Sequence, residues 1–239
     1  EQALRNAYLA REAEQRKNDL IVYLAHDLKT PLTSVIGYLT LLRDEPQISQ
    51  ELRARYTGIA LDKAERLEEL VNEFFDITRF NLTTLALEPE RINLSRMLEQ
   101  IASEFLPILA EKELRWRLDI QPGVEIVGDP DKLERVLDNL IRNAVNYSYA
   151  QTEIALSLIR LEDRVQIEVR NSGKTIPPDK LERLFEQFFR LDSSRSSANG
   201  GAGLGLAIAK SVAETHHGKI TVSSCAGTGT CFTVVLPRK

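Results

Sequence analysis

A histidine and an aspartate stand side by side in the segment LAHDLKTPL, residues 24–32, whose apolar spacing predicts a helix. His26 lies two positions after Leu24, about 200° around that helix, so we expect it to face solvent. An imidazole nitrogen without its proton is a nucleophile, and a neighbouring carboxylate such as Asp27 can accept the released proton. Thr30 lies one turn further on, near enough to orient a water molecule. Because a lone histidine is most often simply solvated, the segment by itself only suggests nucleophilic chemistry.

A second segment, GGAGLGLAIAK at residues 200–210, is rich in glycine and runs into the predicted start of a helix. Glycines let backbone N–H groups approach phosphate oxygens, and the helix N-terminus adds a favourable dipole. The spacing fits neither the Walker P-loop nor the Rossmann fingerprint. A nucleotide site is therefore one interpretation, and a glycine-rich turn without a ligand is the other.

Two amide side chains, Asn139 and Asn143, lie four residues apart and share one face of a predicted helix. Their oxygens can reach a hard cation such as Mg²⁺, although amides on a helix are more often just hydrogen-bonded. Further on, Asn171 and Gly173 follow a predicted strand and can line a base pocket. The segment FEQFFRLDSSR, residues 185–195, joins aromatic residues to two arginines and precedes a Ser/Asn/Gly-rich stretch typical of a mobile lid.

The histidine segment belongs to a predicted helical hairpin. An apolar stripe with helical spacing runs through Leu28, Leu32, Val35, Leu39 and Leu42. After a turn at residues 43–49, a second stripe follows at Leu52, Tyr56, Ile59, Leu67, Leu70, Phe74 and Ile77. Because a lone hairpin has nothing to cover these stripes, a symmetric dimer closing into a four-helix bundle is expected.

The remaining chain predicts a different architecture after a linker at residues 83–91. Strand-like segments occur at 114–120, 152–161, 164–170, 219–224 and 230–237, and helical patterns at 95–111, 130–148, 178–186 and 203–217. Strands that mostly form hairpins, with helices set apart, indicate an α+β domain: one mixed sheet with helices on one face. The predicted domains are therefore residues 1–82 and 92–239.

Composition excludes several classes of function. The net charge of −4 argues against nucleic-acid binding, which needs clustered Lys and Arg. The two cysteines, Cys225 and Cys231, lack the spacing of a metal or redox site and fit a reducing, cytoplasmic compartment. No apolar run approaches the roughly 20 residues that cross a bilayer. We therefore expect a cytoplasmic fragment without membrane contact of its own.

Taken in order, the segments resemble the motifs of sensor histidine kinases. HDLKTPL is similar to the phospho-acceptor H box, NLIRNAVNYS (139–148) to the N box and NSGKTIP (171–177) to the G1 box. FEQFFR is similar to the F box, GGAGLGL to the G2 box and GTGTCFTVVLP (227–237) to the closing strand. Within that family, residues 16–39 and 190–210 most resemble the kinases of vancomycin resistance.

The resemblance implies roles for individual residues. His26 would be phosphorylated by ATP, Asp27 would be the base, and Thr30 would assist dephosphorylation of a partner. Asn143, with Asn139, would hold Mg²⁺, and Tyr147 would pack on the adenine. The residues expected to bind ATP are Asn139, Asn143, Tyr147, Asn171, Gly173, Lys174, Arg190, Arg195, Gly201, Gly203, Leu204 and Gly205.

The chain departs from the family pattern at two positions that bear on ATP. The G1 box usually opens with an aspartate, where this chain has Asn171, whose amide oxygen can still accept a hydrogen bond from adenine. The N box usually supplies a lysine at the position of Asn146. We therefore expect altered adenine reading, and part of the phosphate charge to be met by Arg190, Arg195 or Lys174.

The resemblance implies an ATP-dependent protein-histidine kinase. It would autophosphorylate His26, pass the phosphoryl group to an aspartate in the receiver domain of a response regulator, and also dephosphorylate that regulator. It would act as a homodimer, control vancomycin-resistance genes and belong to a parent protein anchored in the bacterial cell membrane. Two alternatives remain open: an ATPase such as a chaperone or topoisomerase subunit, and a degenerate module that docks a regulator without catalysis.

Overall fold

The protein folds as two compact units, Glu1–Leu82 and Thr83–Lys239, in a computed structural model. The structure describes residues 28–45, 47–82, 87–187, 189, 191, 203 and 205–238. Within these ranges no helix is long and apolar enough to span a membrane. The division between the units falls where the sequence predicts that the linker begins.

The first unit contains the two predicted helices. Helix α1 occupies residues 28–44 of the described range and continues through Pro31 and Gly37. Helix α2, Gln50–Leu82, begins after a short turn. The ring centroids of Tyr38 and Tyr56 lie 5.4 Å apart, which brings the two helices together as a hairpin. The part of the first helical pattern before residue 28 lies outside the described residues.

The second unit contains seven strands and five helices within the described residues. The strands are β1 (Glu90–Asn93), β2 (Arg115–Ile120), β3 (Glu125–Gly128), β4 (Glu153–Arg160), β5 (Arg164–Asn171), β6 (Lys219–Cys225) and β7 (Gly229–Pro237). The helices are α3 (Leu94–Glu104), α4 (Leu106–Glu111), α5 (Pro130–Tyr147), α6 (Pro178–Leu181) and α7 (Gly205–Thr215), with a 3₁₀ turn at Glu182–Phe185.

Five strands form one mixed sheet in the order β2-β4-β5-β7-β6. Among the described strands of this sheet, only β2 and β4 pair in parallel. One face of β4 and β5 is buried at alternate positions, because side chains along a strand alternate between the faces. The buried residues are Ile154, Leu156, Leu158, Val165, Ile167 and Val169. Helices α3, α5 and α7 pack on that face, so the predicted fold class is confirmed.

Some local predictions differ from the structure. Strands β1 and β3 form a separate two-stranded sheet that was not predicted, and β1 includes Glu90 and Arg91 of the predicted linker. The helix predicted at 95–111 is divided at Phe105, because Pro107 suits the first turn of a new helix and cannot donate within a continuing one. The pattern at 178–186 forms one α turn and one 3₁₀ turn.

Candidate active site

The helix that carries both amides, α5, begins at a buried cap. The Asp129 carboxylate accepts from the backbone N–H of Lys132 (3.1 Å) and of Glu88 (3.1 Å) and forms an ion pair with the Lys132 ammonium. Burial alone would raise the pKa of Asp129, but these donors outweigh it and hold the pKa below its usual value. Asp129 therefore fixes the start of α5 as a charged N-cap.

The buried face of α5 determines where its amides lie. Its apolar side chains, Leu133, Val136, Leu137, Leu140, Ile141, Ala144 and Val145, are buried in the domain core. Asn139 and Asn143 are half-buried at the margin of that face. The Nδ2 atom of Asn139 is buried and has no hydrogen-bond partner among the described residues. A ligand oxygen at this point would satisfy that donor, so the position suits an anionic ligand.

The first residue of α7 meets this amide directly. A Cβ atom placed on Gly205 would lie 3.0 Å from Asn139 Oδ1, so a larger residue would press on the amide. At the other end of α7, the buried His216 accepts from the Asp129 backbone N–H through Nε2 (3.0 Å). Its Nδ1 donates to the Val212 carbonyl (2.8 Å). Helix α7 is thus held against α5 at both ends.

The loop after β5 closes onto the C-terminus of α5. Gly173 bridges to Ser148, and a Cβ atom on Gly173 would lie 2.1 Å from the Tyr147 carbonyl oxygen, which excludes any other residue in this conformation. Asn171, which precedes it, is buried (3% exposed). The Tyr147 side chain is 50% exposed. The junction between the loop after β5 and the C-terminus of α5 therefore combines a buried amide, Asn171, with an accessible aromatic ring, Tyr147.

Three basic residues on the loop after β5, after α4 and on α5 differ in their contacts. Lys174 is exposed. The Lys112 ammonium, which the sequence did not indicate, donates to Asn146 Oδ1 at 2.9 Å. Arg142 is held by the Asp138 carboxylate (2.7 Å) and lies over the Phe105 ring.

The aromatic residues of the segment 185–195 make two kinds of contact. Phe185 packs edge-on against the core residue Phe232, with centroids 6.4 Å apart. The Lys210 ammonium lies 5.8 Å from the centre of the Phe185 ring. Phe189 lies under the Arg183 guanidinium, 4.5 Å from its ring centre. Phe185 therefore anchors this segment to the sheet.

The first unit presents part of the predicted phospho-acceptor segment. Thr30 is exposed on α1, while Pro31 is buried. Both side chains lie in the first turn of the described helix. Several predicted site residues lie outside the described residues: His26, Asp27, Arg190, Arg195, Gly201 and Leu204. Of the glycines in the segment 200–210, the structure describes Gly203, with φ of 77°, and Gly205.

The second unit matches a family of ATPases. Residues 128–239 match the family model of the histidine kinase-, DNA gyrase B- and HSP90-like ATPases. Residues 16–82 match the model of the His Kinase A (phospho-acceptor) domain. The chain belongs to the sensor histidine kinases, since the phospho-acceptor domain precedes the ATPase domain. The chaperone or topoisomerase alternative is thereby excluded.

The chain is similar in sequence to individual sensor proteins. The chain is 56% identical over 238 residues to the sensor protein VanSC of Enterococcus gallinarum, covering 100% of this chain and 65% of the relative. It is 48% identical over 228 residues to the sensor protein VanS of Enterococcus faecium, covering 95% and 59%. The chain thus spans less than two thirds of either relative.

The fold of this chain is similar to that of a solved structure. The histidine kinase ThkA, in its complex with the response regulator protein TrrA, has a TM-score of 0.72 and 22% identity, covering 96% of this chain and 64% of that one.

Proposed function

We propose that this chain is the catalytic core of a protein-histidine kinase in a two-component system. The observation that carries the proposal is the match of a phospho-acceptor domain and an ATPase domain in one chain that is 56% identical to a sensor protein. His26 attacks the γ-phosphorus of ATP, the bond to the ADP oxygen breaks, and Asp27 takes the imidazole proton. The phosphoryl group then passes to an aspartate of a response-regulator receiver domain.

The nucleotide is proposed to lie between α5, α7 and the loop after β5. Tyr147 offers an accessible ring for the adenine, and Asn171 offers an amide for its edge. Gly203 and Gly205 allow the chain to approach the phosphates, while Asn139 supplies a buried donor. The predicted contributions of Lys174, Arg190, Arg195, Gly201 and Leu204 belong to the same proposal.

Asn139 and Asn143 are proposed to hold Mg²⁺ through their amide oxygens. When bound, the ion neutralises charge on the phosphate chain. Asn143 is half-buried at the margin of the core face, one helical turn from Asn139, so both amides are accessible from one side of α5. This donor set suits a hard cation that keeps water and phosphate as its other ligands.

Thr30 is proposed to act in the reverse direction, dephosphorylation of the regulator. It lies four residues after His26 in the sequence and is exposed on α1, so its hydroxyl can orient a water molecule. Thr30→Ala should keep autophosphorylation within a few-fold and slow decay of the phospho-regulator by about tenfold. Equal decay with both proteins would remove Thr30 from the mechanism.

The first unit is proposed to dimerise, closing a four-helix bundle. Apolar side chains of the hairpin remain exposed in the single chain, including Ile36 (57%), Leu39 (53%) and Leu61 (57%). Contiguous exposed apolar surface on a helix pair marks an interface. Residues 1–82 would therefore serve dimerisation and phosphotransfer, residues 83–91 linkage, and residues 92–239 ATP binding.

We further propose that the core belongs to a membrane-anchored bacterial sensor, lies in the cytoplasm and controls vancomycin-resistance genes. Its similarity to VanSC and VanS supports this setting. Induction of resistance genes in cells that carry the parent gene or its deletion tests the regulatory role, and membrane fractionation of the parent protein tests its location.

The central experiment is incubation with γ-labelled ATP and Mg²⁺, comparing the native chain with His26→Gln. We expect acid-labile, base-stable label that is absent from the variant, with His217→Gln as a control that keeps the label. Label that survives acid, or that persists in His26→Gln, contradicts the proposal. A chain that docks a regulator but does not bind ATP would be the degenerate module.

A further inference from the structure

We propose that Lys112 is a further ATP-binding residue that contacts the phosphate chain, held in place by Asn146. This inference rests on the proposed kinase function. Lys112 is the C-cap residue that follows α4, 34 residues before the amide that it contacts, and its ammonium lies 2.9 Å from Asn146 Oδ1. The contact brings a cation from a separate element to the helix that carries the predicted metal ligands.

Asn146 continues the row of amides on α5. With about 100° per residue, Asn139, Asn143 and Asn146 fall within an arc of about 60°. The buried, unpartnered Nδ2 of Asn139 marks one end of this row as a place for an acceptor ligand. Lys112 contacts the other end of the row, at Asn146 on the exposed last turn of α5. A phosphate chain along the row would therefore meet donors at both ends.

Lys112 keeps its positive charge uncompensated. Its bonding partner is a neutral amide, and within the described ranges it forms no ion pair with a carboxylate. Arg142, on the neighbouring turn of α5, is by contrast already paired with Asp138. A tetra-anionic ligand gains more from an unpaired ammonium than from a cation that is already neutralised.

The backbone beside Lys112 is fixed by two unusual residues. Glu113 and Gln151 both adopt left-handed conformations, with φ of 56° and 61°, which are uncommon for residues other than glycine. The Gln151 backbone N–H donates to the Glu113 carbonyl (3.0 Å), and its side-chain amide donates to the Glu113 carboxylate (3.1 Å). This pair joins the turn after α4 to the turn after α5, so Lys112 has a set position relative to Asn146.

The test is a calorimetric titration of the whole chain with a nonhydrolysable ATP analogue, ADP, AMP and adenosine in Mg²⁺. Lys112→Gln should weaken binding of the ATP analogue about tenfold, with smaller losses for ADP and AMP and none for adenosine. Lys219→Gln, which changes an exposed lysine at the start of β6, is the matched control and should bind like the native chain. Thermal unfolding without nucleotide checks that each variant is folded.

A rescue variant makes the test sharper. Adding Asn146→Lys to Lys112→Gln places an ammonium on the same turn of α5 and should restore most of the lost affinity. Native affinity for the ATP analogue in Lys112→Gln, or an equal loss for adenosine, would overturn the proposal, as would failure of the rescue in a folded variant. If the native chain binds no ATP, the proposed kinase function fails as well, so the two failures are distinguishable.

Discussion

The two units of this protein differ in how far the apolar residues of their helices are exposed. In the ATP-binding domain, α5 buries Leu140 and Ile141 completely, at 0% exposure each. In the hairpin, α1 leaves Ile36 and Leu39 more than half exposed. The difference supports the proposal that the hairpin dimerises, whereas the core of the ATP-binding domain is covered within one chain. Stability of the ATP-binding domain should be independent of protein concentration, and that of the hairpin should increase with it.

The largest effect is expected from a substitution that creates a cavity in the core of the ATP-binding domain. Leu140→Ala should lower the free energy of unfolding of the ATP-binding domain by about 3 kcal/mol, because a fully buried leucine loses its contacts. Chemical denaturation at two protein concentrations should give the same loss. A loss that depends on concentration would mean that this domain also relies on its partner copy.

The next effect concerns the hairpin. Ile36→Ser should leave the single chain folded and raise the dimer dissociation constant about tenfold or more, because the exposed side chain is expected to be buried between copies. Analytical ultracentrifugation measures this constant. Leu106→Ser changes an apolar residue of similar exposure (55%) in the other unit and should have no effect. Equal dissociation constants for native chain and Ile36→Ser would place the dimer interface elsewhere.

The charged cap of α5 predicts a pH dependence that is confined to the ATP-binding domain. Because the pKa of Asp129 is lowered in the folded state, its carboxylate stabilises the domain fully above the unfolded pKa of about 4. That stabilisation is lost as the pH falls through the folded pKa. Asp129→Asn should therefore cost about 1 kcal/mol at pH 7 and progressively less below about pH 4. Urea unfolding across this range checks it, and a difference that is constant with pH would contradict it.

The smallest effect has the opposite sign. Gly58 lies within α2, and a Cβ atom there would meet nothing within 4 Å. Gly58→Ala should therefore stabilise the hairpin by about 0.8 kcal/mol, measured by thermal unfolding. The same exchange at Gly173 should destabilise the other unit, since its Cβ would press on the Tyr147 carbonyl. Destabilisation at Gly58 would show that another helix packs against this glycine in the dimer.

Periodicity was sufficient to predict most of the fold. The alternation of Ile154, Leu156 and Leu158 identified β4, and the helical spacing around Leu140 identified α5. The four-residue strands β1 and β3 were missed, because so short a stretch shows little more than one alternation and each is stabilised by pairing with the other. Pro107 was overlooked as the start of a new helix for a related reason, since the apolar pattern continues across it.

For the candidate site, the sequence could predict the relative placement of residues that are close along the chain, while their role in binding stays a prediction. Asn139 and Asn143 share a helix, so their spacing alone placed them on one face. The approach of Gly205 to Asn139 depends on how α7 packs against α5, and no local pattern encodes it. Lys112 was missed for the same reason: its contact with Asn146 joins residues 34 apart through the turn that Glu113 and Gln151 form.

The parallel pairing of β2 with β4 has a consequence for the kinetics of folding. These strands cannot be joined by a tight turn, and the chain between them includes β3 and the whole of α5. We therefore expect α5 to be docked by the time β4 pairs with β2, so that the row of amides is assembled before any nucleotide can bind. ATP should then slow unfolding without speeding refolding. Stopped-flow refolding with and without ATP tests this order, and faster refolding with ATP would show that the nucleotide helps to assemble its own site.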